Sequence, residues 1–362
     1  MKGGNKNIIH NMKMGKKFYN LHTFQEHYNY ERAEFILKYC KILTPSEYTS
    51  LHSYMCASEQ KDGYGKISVN WGQKQLRKKH YGRMYPTHPE TGTFLMQHMR
   101  RQLREALIYD MCEDVDFVNS HNLILEKLCK DNNIDCPNLT YYCDNREECL
   151  QEIVDAHEVD RDRAKSLFVR ILYSGSYTAW KDDDDMMVKY ASRDVDCARL
   201  LEKEIKTIGK SLIYHFPDIN KFALQIFKGD KKKKAWSNPV GTAVSYILSD
   251  FENNMLNELI RLAQEDGWTI NSPTYDGLLL IKRKNHNINE YIKQWEEKIK
   301  QKFNHPKFGL SHKPMKPHEM YNRKSEKMQV VVHDKEAAEF VLDKRGKQIV
   351  RESAHTYYIE RN

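Results

Sequence analysis

The clearest periodic pattern in the chain is a set of apolar positions three and four residues apart in RDRAKSLFVRIL, which begins at Arg161. This spacing places the apolar side chains on one side of a helix. The apolar positions are Leu167, Phe168, Ile171 and Leu172. Similar spacing predicts further helices over 121–130, near 190–212 and over 241–265. Residues 1–60, which mix aromatic and charged positions, are also predicted to be helical.

Two other segments predict β-strands that carry carboxylates. IYDMCEDVDF, which ends at Phe117, has the apolar pattern of a strand, and its Asp114 and Asp116 share one face because side chains alternate along a strand. WTINSPTYDGLLLIKR predicts two strands around a turn at 271–273, with Asp276 where the second strand leaves the turn. If the two aspartate-bearing strands are neighbours, Asp116 and Asp276 lie close together.

Charge is distributed unevenly along the chain, although its net charge is only +8. Residues 61–110 contain 10 basic and 4 acidic residues, whereas 111–160 contain 3 basic and 13 acidic residues. From residue 277 onward, 19 basic residues accompany 11 acidic ones. A basic stretch that leads into an acidic one suits a groove that delivers a polyanion to a metal centre. Solvated helix faces produce the same counts in ordinary proteins.

The helix that begins at Arg161 carries two cations on one side. Arg161 and Lys165 are four residues apart and Tyr173 lies eight residues further on, so the three side chains project on broadly the same side. A nucleoside triphosphate would fit this face: the guanidinium binds the γ-phosphate, and the ammonium contacts the α/β region and protonates departing pyrophosphate. Tyr173 would stack against a base. The alternative is an exposed basic face with a half-buried tyrosine.

Phosphoryl transfer is a reaction in which the carboxylates and the cations would act together. It needs alignment of the reacting groups and neutralisation of charge, commonly by two Mg²⁺ ions about 3.5–4 Å apart held by carboxylates. Asp116 and Asp276 are the candidate metal ligands, with Asp114 as a further ligand or a supporting carboxylate. Taken alone, a solvated strand edge and a Tyr-Asp-Gly hairpin explain these aspartates better. One metal-bound triphosphate, however, accounts for both the carboxylates and the cations.

Five motifs resemble those of a polymerase family, in family order over about residues 80–282. DFVNSHNLILEKL, RDRAKSLFVRILYSG and TYDGLLL are similar to motifs A, B and C of family A DNA polymerases, which include bacterial DNA polymerase I, and of the related phage-type single-subunit RNA polymerases. NPVGTA at 238–243 resembles the helix-opening Asn-Pro segment of that family. GRMYP at 82–86 resembles the Gly-Arg segment whose arginine touches the minor groove of the primer-template.

The resemblance implies an α+β fold: a right-hand polymerase with a small antiparallel palm sheet, mostly helical fingers and an abbreviated thumb. It divides the chain into a helical, thumb-like region at 1–80, a palm and fingers core at 81–323, and a basic C-terminal appendage or start of a neighbouring domain at 324–362. The implied activity is template-directed nucleotidyl transfer in the replication of a virus or mobile element.

The resemblance also assigns roles to single residues. Asp116, Asp276 and Lys165 are catalytic, and the two aspartates bind two Mg²⁺ ions, for which Mn²⁺ can substitute. Arg161, Lys165 and Tyr173 bind the nucleotide. Nucleic acid is contacted by Arg83, Arg104 and Asn238. The expected partners are primer-template nucleic acid, nucleoside triphosphates and a helicase, either fused to the chain or in complex with it.

Several positions depart from the family pattern. His121 replaces a glutamate that helps DNA polymerases exclude a 2′-hydroxyl, and Val169 replaces an aromatic residue on the fingers helix. Tyr275 and Gly277 flank Asp276 where histidine and glutamate are usual. The resemblance therefore leaves a DNA polymerase and an RNA polymerase or primase both open, and is closest to the compact, divergent polymerases of viruses and transposons.

Three other functions are weighed against the polymerase. A non-catalytic accessory module would grip phosphate with its Lys/Arg-rich face, and a metal-dependent nuclease would use the same aspartates but leave the pair of Arg161 and Lys165 unexplained. Zinc binding is suggested by a group of cysteines, but they lack a CxxC pair, so reduced thiols are favoured. This group is Cys129, Cys136, Cys143 and Cys149.

The sequence also bears on location. No apolar run approaches the roughly 18–20 residues that a membrane span needs, so no membrane partner is expected. The N-terminus is positively charged but is not followed by the apolar segment of a secretory signal. We therefore expect a cytoplasmic or nuclear protein that is not secreted.

Overall fold

The computed structural model describes residues 17–39, 43–76, 78–88, 95–182, 194–228 and 238–316, together with two short strands at 340–342 and 348–350. Antiparallel sheets and many helices occur in it, so the predicted α+β class is confirmed. The lysine run at 231–234, most of the KDDDD segment and most of the predicted appendage at 324–362 lie outside the described residues.

Twelve α-helices are described. They are α1 (Tyr30–Tyr39), α2 (Pro45–Cys56), α3 (Arg101–Ile108), α4 (Ser120–Asp131), α5 (Pro137–Asp144), α6 (Arg146–His157), α7 (Arg161–Leu172), α8 (Tyr177–Lys181), α9 (Asp196–His215), α10 (Pro217–Lys228), α11 (Pro239–Glu265) and α12 (Ile288–Lys302). The helices predicted from periodicity correspond to α4, α7, α9 and α11. None of the described helices is long and apolar enough to cross a membrane.

The first sheet contradicts the prediction that residues 1–80 are helical. It consists of β1 (Lys17–Asn29), β2 (Glu59–Lys61), β3 (Tyr64–Leu76) and β4 (Lys79–Thr87), all paired antiparallel, and only α1 and α2 in this region are helical. The period-two pattern of β1 is hidden because one of its inward positions is a charged residue. Glu26 is fully buried between Phe24 and Tyr28, where Tyr54 donates a 2.8 Å hydrogen bond to it.

The second sheet has the strand order β6-β7-β5-β8 and is entirely antiparallel. Its strands are β6 (Ile270–Pro273), β7 (Gly277–Ile281), β5 (Cys112–Phe117) and β8 (Leu310–Lys313). The turn expected at 271–273 is displaced, because those residues continue β6 and the reversal occurs at 274–276. β5 is central, and Asp116 pairs with Gly277 on one side and Ser311 on the other. The two aspartate-bearing segments are therefore neighbours.

The long helix α11 connects the two sheets. Its Asp250 accepts a 2.9 Å hydrogen bond from the backbone N–H of Gly82 in β4. Gly82 has a positive φ of 86°, and a Cβ there would press against the ring of Tyr246 on α11. This close approach fixes the position of the next residue, Arg83. On the other side, β1 contacts β6, where Ser272 donates a 2.8 Å hydrogen bond to Glu26.

Candidate active site

Asp116 and Asp276 are brought together by the antiparallel pairing of β5 with β7. The backbone N–H of Phe117 donates a 2.7 Å hydrogen bond to the carbonyl oxygen of Asp276. A Cβ on Gly277 would overlap the carbonyl oxygen of Val115 and Oδ1 of Asp116, so only glycine allows the strands to approach this closely. The close approach of β7 to β5 thus explains why position 277 is a glycine, although glycine departs from the family pattern there.

Burial and the charge of Asp116 raise the pKa of two carboxyl groups in this cluster, those of Asp114 and Asp276. Asp114 and Asp116 are 5% and 7% exposed. Burial, followed by the charge of Asp116, raises the pKa of Asp114 to about 7. Burial, followed by the charges of Asp116 and Glu252, raises the pKa of Asp276 to about 6. Such crowding favours a bound cation, because a cation makes full ionisation of the cluster less costly.

Lys313 on β8 supplies positive charge to this cluster. Its ammonium forms an ion pair with Oδ2 of Asp116. Burial disfavours the charged ammonium, but the carboxylates of Asp116, Asp276 and Asp114 outweigh that cost and raise the pKa of Lys313. Lys313 was not among the site residues predicted from the sequence. It lies 197 positions from Asp116, and a lone lysine in a four-residue strand carries no sequence signal.

The donor set suits Mg²⁺ in one specific way. Within the described ranges, no group of three or more His, Cys, Asp or Glu side chains is arranged to hold a metal ion. Mg²⁺ commonly binds through one or two carboxylates, several waters and substrate phosphates. The side chains of Asp116 and Asp276 would therefore fit Mg²⁺ only as a partial site, with the remaining oxygen ligands supplied by water or phosphate. Asp114 leaves a buried Oδ1 without a hydrogen-bond partner in this cluster.

A cavity of about 430 Å³ is lined both by the predicted cations of α7 and by one of the predicted metal ligands, Asp276. Asp276, Lys313, Arg161, Lys165 and Tyr173 all line it, whereas Asp116 does not and reaches it only through its ion pair with Lys313. The other polar residues that line it include Arg83, His121, Arg146, Glu252 and Tyr275. The structure therefore unites most of the predicted site residues in one cavity.

Helix α7 holds the cations at the mouth of this cavity. The helix begins after Asp160, whose carboxylate accepts a 2.7 Å hydrogen bond from the N–H of Arg163. Arg161 is more than half exposed and donates hydrogen bonds of 2.7 Å and 3.0 Å to the carboxylate of Glu147. Glu147 also accepts a 2.8 Å hydrogen bond from Arg146. The exposed carboxylate of Glu147 is thus hydrogen-bonded to the guanidinium group that was predicted to bind phosphate.

Tyr173 follows the last residue of α7 and is fixed at both ends. Its hydroxyl lies 2.5 Å from Nδ1 of His121, and its carbonyl oxygen accepts a 2.7 Å hydrogen bond from the side chain of Asn238. Burial raises the pKa of Tyr173 to about 12. Asn238 also caps α11 by accepting a 2.8 Å hydrogen bond from the N–H of Gly241. The side chain predicted to contact nucleic acid therefore has structural partners here.

Glu252 on α11 is a second residue that the sequence analysis missed. It is 2% exposed, and it contacts Ser120, His121 and Arg83, the last at 3.2 Å. Burial opposes its ionisation, but His121, Arg83 and Ser120 outweigh burial and lower the pKa of Glu252. A sequence signal did exist: a charged residue stands four positions from Leu248 and Leu256 on the buried side of α11.

A second cavity of about 380 Å³ adjoins the first. Arg83 and Tyr173 line both cavities, and Asn238 lines only the second. The other side chains of the second cavity include Lys74, Tyr85, Thr242, Ser245 and Tyr246. Arg104, the remaining predicted nucleic-acid contact, lines neither cavity and instead acts electrostatically on Asp114 and Glu26.

Comparison with known proteins gives a weak sequence relative and solved structures of similar fold. No protein-family model matches the chain. The putative helicase V13 of the Sputnik virophage is 26% identical over 234 residues, which is 65% of this chain and 28% of that protein. This chain thus spans little more than a quarter of that relative.

Among solved structures, the POL domain of Pol1 from M. smegmatis, in complex with DNA primer-template and dNTP, has a similar structure with a TM-score of 0.42 and 12% sequence identity. The similarity covers 74% of this chain and 50% of that one. Membership in family A stays a prediction.

Proposed function

We propose that this chain catalyses template-directed nucleotidyl transfer by the two-metal mechanism of family A DNA polymerases. The observation that carries this proposal is the first cavity, which is lined by Asp276, Arg161 and Lys165, with Asp116 on the strand paired to that of Gly277. A carboxylate that would hold divalent cations and basic groups that would hold phosphates thus line one space of about 430 Å³. A metal-bound nucleoside triphosphate fits both sides, whereas a nuclease gives no reason for the pair on α7.

In this proposal the cations of α7 orient the triphosphate. The guanidinium of Arg161 leaves Glu147 and binds the terminal phosphate with two parallel hydrogen bonds. Lys165, one helical turn further on, contacts the inner phosphates and protonates the departing pyrophosphate. Tyr173 supports the base, and its contact with His121 keeps the ring in a fixed orientation. These groups reduce the entropy cost of aligning the reactants.

The carboxylates hold the reacting end. When bound to Asp116 and Asp276, Mg²⁺ supplies positive charge to the phosphates and lowers the pKa of the attacking hydroxyl. The turn at 274–276 and the pairing with β5 keep the two carboxylates at a fixed separation. Thr274 adds a 3.3 Å hydrogen bond to Oδ1 of Asp116. Lys313, which pairs with Asp116 here, would pair with a phosphate in the substrate complex and leave the carboxylate of Asp116 available to hold a cation.

Arg83 and the second cavity provide the nucleic-acid side of the reaction. The guanidinium of Arg83 lies 4.5 Å from the ring centre of Tyr275 and lines both cavities. Tyrosine rings and basic groups side by side are what a nucleic-acid strand requires, since rings stack on bases and cations pair with phosphates. We assign the end of the nucleic-acid strand or duplex to the second cavity, with Arg83 as the contact nearest to the primer terminus.

The biological setting follows from the virophage relative and is equally a proposal. That protein is named a putative helicase, and this chain matches only 28% of it. We propose that the chain acts in the replication of a virus or mobile element, beside a helicase that is fused to it or bound to it.

Primer extension in Mg²⁺ with separate dNTP and NTP pools tests the proposed function. We expect incorporation from at least one pool, and the pool that is used distinguishes a DNA polymerase from an RNA polymerase or primase. The variant Asp116→Asn/Asp276→Asn should lose extension by about 10³-fold or more while its affinity for nucleic acid changes little. Asp131→Asn is the matched control, because Asp131 pairs with Lys127 outside the cavity. Folded wild-type protein that binds nucleic acid but incorporates from neither pool would be an accessory module.

A further inference from the structure

The wall between the two cavities is made by two side chains with a common support. Arg83 and Tyr173 are the residues that line both cavities among the described part of the chain. Arg83 donates a 3.2 Å hydrogen bond to Oε2 of Glu252. Tyr173 contacts Nδ1 of His121, whose Nε2 lies 2.9 Å from the same oxygen of Glu252. The carboxylate of Glu252 is thus connected to both side chains of the wall, to Arg83 directly and to Tyr173 through His121.

Glu252 is well suited to hold this wall rigidly. It projects from the middle of α11, a helix of 27 residues whose buried side packs in the core, and it is 2% exposed. Its other oxygen accepts a hydrogen bond from Ser120 at the start of α4. Three segments, β4, the start of α4 and the end of α7, are therefore joined at one buried charge. A buried ionised group with several donors has little freedom to change its position.

The alternative is that Glu252 only stabilises the fold. Glu258, six residues later on α11, shows what that role looks like: it is 5% exposed and is paired with Arg261 and Lys302, none of which lines either cavity. The partners of Glu252 differ because Ser120, His121 and Arg83 all line the first cavity. Both glutamates are buried on α11, so the difference between them lies in which residues each carboxylate contacts.

We propose that Glu252 is a positioning residue shared by the two cavities, which fixes Arg83 for nucleic acid and, through His121, Tyr173 for the nucleotide. This inference rests on the proposed function for the identity of the two ligands. It explains why an ionised carboxylate is buried at a cavity that would bind polyanions: hydrogen bonds from Arg83 and Ser120 and the nearby imidazole of His121 offset its charge, and the faces of Arg83 and Tyr173 are left toward the ligands. Loss of the carboxylate should then weaken both ligands together.

The test compares Glu252→Gln with Glu258→Gln and Arg161→Gln. Affinity for a fluorescein-labelled primer-template is measured by anisotropy, and affinity for a fluorescent nucleoside triphosphate in Mg²⁺ is measured separately. Because a small misplacement of a contact group is costly, E252Q should weaken both affinities by about tenfold or more. E258Q should change neither, and R161Q should weaken the nucleotide alone. If extension is measurable, E252Q should raise the KM for nucleotide more than it lowers kcat.

The outcomes separate this inference from the proposed function. Wild-type protein that binds both ligands without extending a primer would refute the polymerase, while a joint loss in E252Q would still support the positioning role. E252Q with unchanged affinities, or with only one of them reduced, would overturn that role. If E252Q does not fold, His121→Gln is the second variant, since it breaks the connection to Tyr173 and leaves Glu252 in place. Unchanged affinities in H121Q would equally overturn the inference.

Discussion

The two sides of the first cavity hold their charged groups in opposite ways. On the sheet side, Asp116 and Asp276 lie at paired strand positions, and the pairing of β5 with β7 sets their separation through the backbone. On the helix side, Arg161 is 53% exposed and its carboxylate partner Glu147 is 65% exposed. Exposed ion pairs of this kind contribute little to stability and exchange readily with solvent.

This contrast indicates a division of labour. In the proposed function the buried carboxylates hold metal ions, which tolerate little variation in ligand distance, so a fixed geometry is required despite the repulsion between the carboxylates. The helix cations then need only to be available, since a flexible guanidinium can follow a phosphate. We therefore expect substitutions on the sheet side to affect folding and catalysis together, and substitutions on the helix side to affect substrate affinity alone.

Among the single substitutions that test this contrast, the largest effect should come from Gly277→Ala. The new methyl group would overlap Val115 and Asp116, so β7 must move away from β5. Overpacking of this kind costs about 1–3 kcal/mol in the free energy of unfolding, and the displaced Asp276 should reduce extension by at least about a hundredfold. Chemical denaturation and primer extension measure the two effects.

Gly309→Ala is the matched control for this substitution. A methyl group there would meet Glu296 and Val118 only at 3.4 Å and 3.8 Å, which are ordinary contacts. G309A should retain stability and activity close to wild type. Extension by G277A within about twofold of wild type would show that the close approach of the two strands is dispensable, and the contrast between the two sides would fail.

On the helix side, Arg161→Gln should raise the KM for nucleotide by about 10- to 100-fold, which corresponds to the loss of charged hydrogen bonds worth about 1.5–3 kcal/mol. Its melting temperature should stay within about a degree or two of wild type, because an exposed ion pair contributes so little. Steady-state kinetics and thermal melting give both values. Arg199→Gln removes an equally exposed arginine paired with Asp196, outside the cavity, and should leave the KM unchanged. An R161Q variant that melts early would contradict the proposed division.

The pH dependence should distinguish the two sides as well. In the metal-free protein the pKa of Asp276 is raised from 3.8 to about 6, so the folded state is favoured when this carboxyl is protonated. That stability is fully present below about pH 4 and is lost as the pH rises through about 6, with Asp114 extending the loss toward 7. Mg²⁺ should restore stability above pH 7, because it binds the ionised carboxylates.

Denaturant titrations from pH 5 to 8, with and without Mg²⁺, measure this effect. Asp276→Asn should flatten the pH dependence and reduce the stabilisation by Mg²⁺, since the amide neither titrates nor replaces the carboxylate as a ligand. Arg161→Gln should leave both unchanged. A pH profile that is identical in D276N and wild-type protein would show that this carboxyl is not the titrating group.

The same contrast explains how far the sequence could predict the structure. Local patterns identified β5, α4, α7, α9 and α11, because periodicity and caps are properties of short segments. Asp276, Arg161, Lys165, Tyr173 and Arg83 were predicted from motifs, and the fold brings them to one cavity. The role of each residue remains a prediction.

What the sequence could not predict depends on long-range packing. The prediction of helix for β1 was wrong because Glu26 occupies an inward position that hydrogen bonds from the distant Tyr54, Met96 and Ser272 make tolerable. Lys313 comes to Asp116 through the pairing of β8 with β5. Glu252 was visible as a charge on the buried side of α11, but its partners come from β4 and α4, and no local pattern identifies them.

The smallest expected effect concerns Glu147, which competes with phosphate for Arg161. Removal of its charge by Glu147→Gln should free the guanidinium and lower the KM for nucleotide by about two- to threefold, in line with about 0.2–1 kcal/mol for an exposed ion pair. The effect should vanish in the Arg161→Gln background, because the competition requires both partners, and a double-mutant cycle measures this coupling. Asp196→Asn, which breaks the exposed pair with Arg199, should not change the KM. If E147Q lowers the KM equally with and without Arg161, the carboxylate acts through general repulsion of the triphosphate. Arg161 would then be free to bind phosphate without a competitor, and the helix side would be more preorganised than its exposure indicates.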